Sequence, residues 1–336
     1  MLPRLSLWAP LVALVAGVAH AEGTFTNPTA DSGADPWMLR QGEDYFLVQS
    51  RRGHVTVLRA ANPVDIGKSP AVTVWTPPPG KPYSKEVWAP ELHYLQDKWY
   101  IYVAADDGNN DHHRIYVLEG SSQNPQDPFF FRGELKLPDD RWAIDGSAFT
   151  MSNRIFFIWS GWVGTSNVDQ RIYIAELQDP LTAKGGRVCI SVPELDWEKR
   201  DGPPWINEGP EALSHDGHLF IIYSASGSWA DNYCLGQLTF TGGDPLRADS
   251  WVKKSGPVFS RTTDVFGPGH CCFVKSPDGA QDWIIYHAAK HSGAGWNRNL
   301  RAQRFTWAPD GSPDFGTPVS TGLPQLRPAG TVFEHP

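Results

Sequence analysis

The sequence predicts an all-β fold, a five-bladed β-propeller, on three observations. Helical periodicity is almost absent along the 336 residues. Short apolar, aromatic and β-branched runs alternate with Gly, Pro, Asn and Asp clusters, the pattern of strands and turns. A weak self-similarity recurs five times: a Pro- or Gly-punctuated entry, a short strand, a polar turn and an aromatic strand. With Asp35, Pro90, Asp145, Glu208 and Gly269 as markers, the copies are separated by 55, 55, 63 and 61 residues. Each period has room for roughly four strands and their turns, the content of one blade. A single blade cannot bury both of its faces, so several must pack around a shared channel.

The copies follow in order. The first runs from Asp35-Pro36 to Ser50, with Tyr45–Val48 as its strand-like run. The second opens at Trp88–Glu91 and reaches Ala105; strands are expected at Glu91–Tyr94, Trp99–Val103 and Arg114–Leu118. Asp145-Gly146 begins the third, which carries Ile155–Ile158 and ends at Gly161. The fourth spans Glu208-Gly209-Pro210 to Ser226 through Leu219–Ile222, and the fifth runs from Gly267–His270 to Ala289. Thr76–Pro79 reads as a loop between blades. A β-sandwich would leave the recurring entry unexplained. No linker or composition break divides the chain, so residues 22–336 are expected to form one domain.

Residues 1–21 have the design of a secretory signal: Arg4, an apolar stretch from Leu5 to Val18, and a small-x-small site at Ala19–Ala21. The stretch is short for a membrane span and contains Pro10 and Gly17. A secreted, extracellular chain is expected, a monomer, with no membrane partner. The net charge of −8 is not clustered, which argues against nucleic acid. Most of the 15 Trp belong to strand packing, while a minority would serve as stacking platforms for sugar rings. Cys189, Cys234, Cys271 and Cys272 allow three full pairings, and their connectivity stays open. Adjacent Cys271 and Cys272 on a strand point to opposite faces, which disfavours a vicinal bridge.

Asp35, Asp145 and Glu208 occupy the same place in three copies, preceding the strand-like run by ten, ten and eleven positions. Acids equivalent in a radial repeat point at one axis. Crowding them there costs stability unless something uses the charge. Glycoside hydrolysis with inversion is a natural use: one protonated carboxyl donates to the leaving oxygen and one carboxylate activates water. A third acid beside the donor raises its pKa. Pro36 is expected to hold Asp35 in extended backbone. Glu208 has the longer reach, and Glu211 is its rival as proton donor.

Ala34–Pro36, Trp88–Glu91, Ile144–Gly146, Asn207–Pro210, Gly267–His270 and Arg301–Gln303 together resemble glycoside hydrolase family 43, over about Asn27 to Val319. Ser224–Ser226, Asn232–Gly236 and Asp310–Gly316 are similar to its exo-acting α-1,5-L-arabinofuranosidases. The resemblance implies a secreted five-bladed propeller that releases terminal L-arabinofuranose from plant cell-wall arabinan or arabino-oligosaccharides. Asp35 would be the general base, Glu208 the general acid, and Asp145 the residue that tunes and orients the acid. Trp88 would stack on the sugar or pack between blades. Arg301 would hydrogen-bond sugar hydroxyls or form a surface salt bridge. His270 would help hold a central cation, often calcium, mainly through water, or be a hydrogen-bonded core residue; Cys271 and Cys272 depart from the usual polar neighbours. No cofactor is required. Asp106–His113 lacks calcium-loop spacing and reads as a solvated loop. The same fold accommodates a β-xylosidase or an endo-arabinanase, and a non-catalytic carbohydrate-binding propeller is the reading from a different class.

Overall fold

The computed structural model describes residues 23–332; the expected signal segment, 1–21, lies outside the described residues. The fold is nearly all-β, as the sequence predicts. After β1 (Thr24–Thr26) come β2 (Trp37–Gln41), β3 (Asp44–Arg51), β4 (His54–Ala60) and β5 (Val72–Trp75), an antiparallel meander. A second contains β6 (Lys85–Leu95), β7 (Lys98–Asp106), β8 (Arg114–Gly120) and β9 (Phe129–Glu134). A third has β10 (Ala143–Met151), β11 (Arg154–Gly161), β12 (Asp169–Asp179) and β13 (Thr182–Ser191). The fourth comprises β14 (Trp205–His215), β15 (His218–Ala225), β16 (Cys234–Phe240) and β17 (Trp251–Lys253). The fifth holds β18 (Phe266–Lys275), β19 (Asp282–Ala289), β20 (Arg298–Trp307) and β21 (Pro313–Asp314); β22 (Pro324–Leu326) follows. The third and fourth meanders share one eight-stranded sheet. A two-residue parallel pairing, Asp169 with Trp205 and Gln170 with Ile206, joins them.

The second strand of each meander is apolar on both faces because both faces are covered. Successive side chains on a strand point to opposite sides. Tyr45 and Leu47 of β3 therefore pack with Trp283 and Ile285 of the fifth meander. Phe46 and Val48 pack with Leu92, Ile101 and Val103 of the second. On β11, Phe157 and Trp159 meet Tyr100 and Tyr102, while Phe156 and Ile158 meet Ile221 and Tyr223. Phe220 and Ile222 join Ile284 and Tyr286 in the same way. Each such fully buried side chain contributes about 1.5–3 kcal/mol.

The two ends of the described chain meet. β1 pairs antiparallel with β22, Thr24 opposite Leu326. Asn27, 2% exposed, grips the fifth meander: its Nδ2 donates to Ala302 O at 3.0 Å, and its Oδ1 accepts from Ala302 N at 2.9 Å. Thr29 N donates to Leu300 O at 2.9 Å. Cys189, Cys234, Cys271 and Cys272 are free thiols, and neither Cys271 nor Cys272 pairs with its neighbour.

Candidate active site

The entry to each meander's first strand is kinked in the same sense. Asp35, Ala89, Asp145, Gly209 and His270 have φ of 48°, 40°, 54°, 53° and 42°. L-residues avoid this left-handed region by roughly 1 kcal/mol or more, so it persists only where the surroundings fix it. Register shifts accompany the kinks at Trp88, between Ile144 and Ser147, between Glu208 and Glu211, and at Gly269. Such bulges re-aim a side chain out of the pleat. Asp35 departs from expectation: Pro36 does not keep it extended. Its amide instead donates to His287 Nδ1 at 3.1 Å, which fixes the left-handed turn. Gly209 is needed twice over, because its φ suits glycine and a Cβ there would lie 3.1 Å from the His270 ring.

These kinks gather Asp35, Asp145, Glu208 and His270 at one cavity of about 590 Å³. Its walls include Trp88, Trp142, Trp229, Trp296 and Arg298. Asp35 Oδ1 has two cationic groups beside it, His270 Nδ1 at 3.2 Å and Arg298 Nη1 at 3.4 Å, with the neutral His287 Nδ1 at 3.3 Å. Burial opposes ionisation, but the charges of His270 and Arg298 hold the Asp35 carboxyl far below the usual carboxylate range. His287 is driven down to about 3, by burial first and Arg298 second. It is therefore neutral at ordinary pH. Burial also opposes charge on His270, yet Asp35, Asp145 and Glu208 together keep its pKa above the ordinary histidine value.

The other two acids lean the opposite way. Burial pushes Asp145 up to about 7; Glu208 and Asp35 add to the rise and His270 opposes it. Its Oδ2 accepts the Gly209 N–H at 3.0 Å, which couples it to the peptide beside Glu208. Burial raises Glu208 too, against a hydrogen bond from Tyr233 Oη to Glu208 Oε1 at 2.8 Å. The cavity thus presents one firmly ionised carboxylate and a pair disposed to keep a proton near neutral pH.

Glu211 lies beyond the β14 bulge, 2% exposed, with Ser147 Oγ donating to its Oε2 at 3.4 Å. Burial and Glu91 push its pKa well up, and it does not line the cavity. Trp88 does line it, half-buried. Arg301 does not. It is 1% exposed, donating from Nε to Asn299 Oδ1 and from Nη2 to Ala289 O. The cavity arginine is Arg298, where β20 begins; three residues along a strand reverse the face, so both cannot point the same way. His270 is buried, its backbone N–H donating to Ser224 Oγ at 2.8 Å and its ring Nδ1 3.2 Å from Asp35 Oδ1. Among the described residues, no three His, Cys, Asp or Glu side chains are grouped to hold a metal.

Sequence reasoning missed Arg298, Tyr233 and His287. Tyr233 sits inside the singled-out Asn232–Gly236 segment, and His287 interrupts an apolar strand, a signal that was there to use. The Asp106–His113 run is only partly solvated: Asp107 and His112 are exposed, whereas Asp106 and His113 are fully buried.

The profile of Glycosyl hydrolases family 43 matches residues 25–313. An "Extracellular exo-alpha-(1->5)-L-arabinofuranosidase" of Streptomyces avermitilis is 33% identical, with 90% of this chain and 66% of that protein covered. "Alpha-L-arabinofuranosidase 43" of Humicola insolens is also 33% identical, over 88% of this chain and 63% of its own. The chain thus spans just under two thirds of the length of these two relatives. The crystal structure of an α-L-arabinofuranosidase from Lactobacillus brevis superposes with a TM-score of 0.83 at 32% identity, covering 89% of this chain and 98% of that one.

Proposed function

The chain belongs to glycosyl hydrolases family 43, and on that premise we propose that it is an inverting, exo-acting α-L-arabinofuranosidase. Its substrate is α-1,5-linked arabinan or arabino-oligosaccharide, from which it releases terminal L-arabinofuranose. The names of the relatives support the sugar and the extracellular setting, and the amino-terminal sequence supports export. We read residues 22–336 as one domain and the five meanders as five blades of a propeller. Apolar clusters between each meander and the next, and between the fifth and the first, support that reading. The protein acts as a monomer.

One observation carries the mechanism: carboxyls of opposite protonation preference share one cavity. Glu208 donates its proton to the glycosidic oxygen as the bond from that oxygen to the anomeric carbon breaks, and the electron pair leaves with the oxygen. Asp35, ionised by His270 and Arg298, takes a proton from a water that attacks the anomeric carbon from the opposite face. Asp145 and Glu208 cannot both ionise readily in the same buried space, so the pair retains a proton for the donor, and Asp145 orients that donor through the Gly209 amide. Trp88 offers a flat face to the sugar, and Arg298 reaches the cavity beside Asp35 in the place first given to Arg301. Carboxyls and water suffice for an acetal, so no cofactor is assigned; a cation near His270, calcium included, would be held mainly through water.

Incubation with linear arabinan and with xylo-oligosaccharides tests the substrate, and arabinose from the former is expected. Xylose alone would reassign it, and no sugar from either would leave a binding module. Proton NMR of the first product should show the inverted anomer, and retention would overturn the role of Asp35. Asp35→Asn and Glu208→Gln should each lower kcat by about 10²–10⁴-fold.

A further inference from the structure

The buried end of the Asp106–His113 run touches the cavity wall from behind. The His113 ring stacks on the Trp88 indole with centroids 4.0 Å apart and planes 25° from parallel. His113 Nε2 donates to Glu86 O at 3.1 Å. Its Nδ1 faces Asn110 O at 3.3 Å and Asp106 Oδ2 at 3.1 Å, and both Asp106 and His113 are 0% exposed. Asp106 is itself anchored, its Oδ1 accepting the Gly108 N–H at 2.8 Å.

Trp88 needs such an anchor. The strand register shifts on both sides of it, between Lys85 and Trp88 and between Trp88 and Glu91. Glu86 and Ala89 have φ of 42° and 40°. A ladder interrupted twice does not fix where the intervening side chain points. The same run supports a second wall: Trp142 Nε1 donates to Asn110 O at 2.8 Å, and Ala143 N donates to His113 O.

We propose that His113, held by its Nε2–H bond to Glu86 O, is a positioning residue that holds the Trp88 indole as the sugar-stacking face of the cavity. Its consequence for turnover rests on the arabinofuranosidase reading above; the brace itself does not. A solvated or merely space-filling role would need neither the stack nor the hydrogen bond from Nε2–H to Glu86 O. The ring's plane is what Trp88 uses, so another flat ring should serve in part.

The test is a double-mutant cycle on kcat/KM for arabinobiose with His113→Ala, Trp88→Ala and the pair, plus His113→Phe. His113→Ala should lower kcat/KM by about 3- to 10-fold, the scale of one aromatic contact. Trp88→Ala should cost at least as much, and the double variant no more than Trp88→Ala alone. His113→Phe should recover most of the loss, and the pH profile should keep its shape throughout. Additive losses, wild-type kinetics in His113→Ala, or a folded His113→Phe as impaired as His113→Ala would each overturn the proposal. Near-UV circular dichroism gives a readout independent of activity. The band lost in Trp88→Phe should also be lost in His113→Ala, and its persistence would sink the brace. A wild-type protein that releases no arabinose would sink the functional reading instead, with the dichroism still deciding on His113.

Discussion

At the scale of single residues, protonation states follow from which neighbour each acid meets. Tyr233 donates to the ionised form of Glu208, so its hydrogen bond lowers that pKa. Tyr233→Phe should therefore raise it and move the loss of activity at high pH upward, measured from the pH dependence of kcat/KM. An unmoved limb would separate Tyr233 from the donor. Asp145 binds its proton more tightly in the native cavity than in the unfolded chain, where its pKa is near 3.8. Its contribution to stability is thus fully present below pH 3.8 and is lost as pH rises toward about 7. Asp145→Asn should remove that loss, stabilising the fold by about 1–3 kcal/mol at pH 7.5 and little at pH 4. Thermal melts at the two pH values check this, and equal shifts at both would refute it. The three acids were legible because they recur at one place in a repeat. Arg298 was not, and the break that His287 makes in its apolar strand did not say what it meets, since what brings the two together is register across β19 and β20, which a linear pattern does not reveal.

At the scale of elements, strands were readable and their irregularities were not. Continuous apolar and aromatic runs bounded by turn residues announce β3, β7, β11 and β15 from the sequence alone. A bulge is one extra residue with no periodicity of its own, and bulges are what separate Glu208 in the cavity from Glu211 behind it. The bulge at Gly269 is packed against Tyr233, and a Cβ there would lie 2.3 Å from that ring. Gly269→Ala should push Tyr233 off Glu208 and reproduce the upward shift of the high-pH limb seen for Tyr233→Phe, at some further cost in kcat. A pH profile identical to wild type would show that this strand does not set the donor.

At the scale of the whole molecule, the periodic spacing of entries foretold that meanders would pack in succession. The spacing gave no hint of the eight-stranded sheet, because a two-residue pairing of β12 with β14 leaves no mark in composition. Nor did it reveal Asn27, whose two bonds to Ala302 span most of the chain. Asn27→Ala leaves a buried N–H and C=O short of partners and should cost about 1–3 kcal/mol, read from denaturant unfolding with an unchanged m-value. A loss below 0.5 kcal/mol, within the range of ordinary surface changes, would mean that β1 and β22 hold the ends without it. That same junction also bears on timing. Each meander is built from neighbours in sequence and can pair as soon as it is made, but Thr24–Thr26 finds its partner only when Pro324–Leu326 has been synthesised. The amino-terminal strand therefore has no partner until Pro324–Leu326 exists, so closure of β1 on β22 comes after the strands of all five meanders have been made.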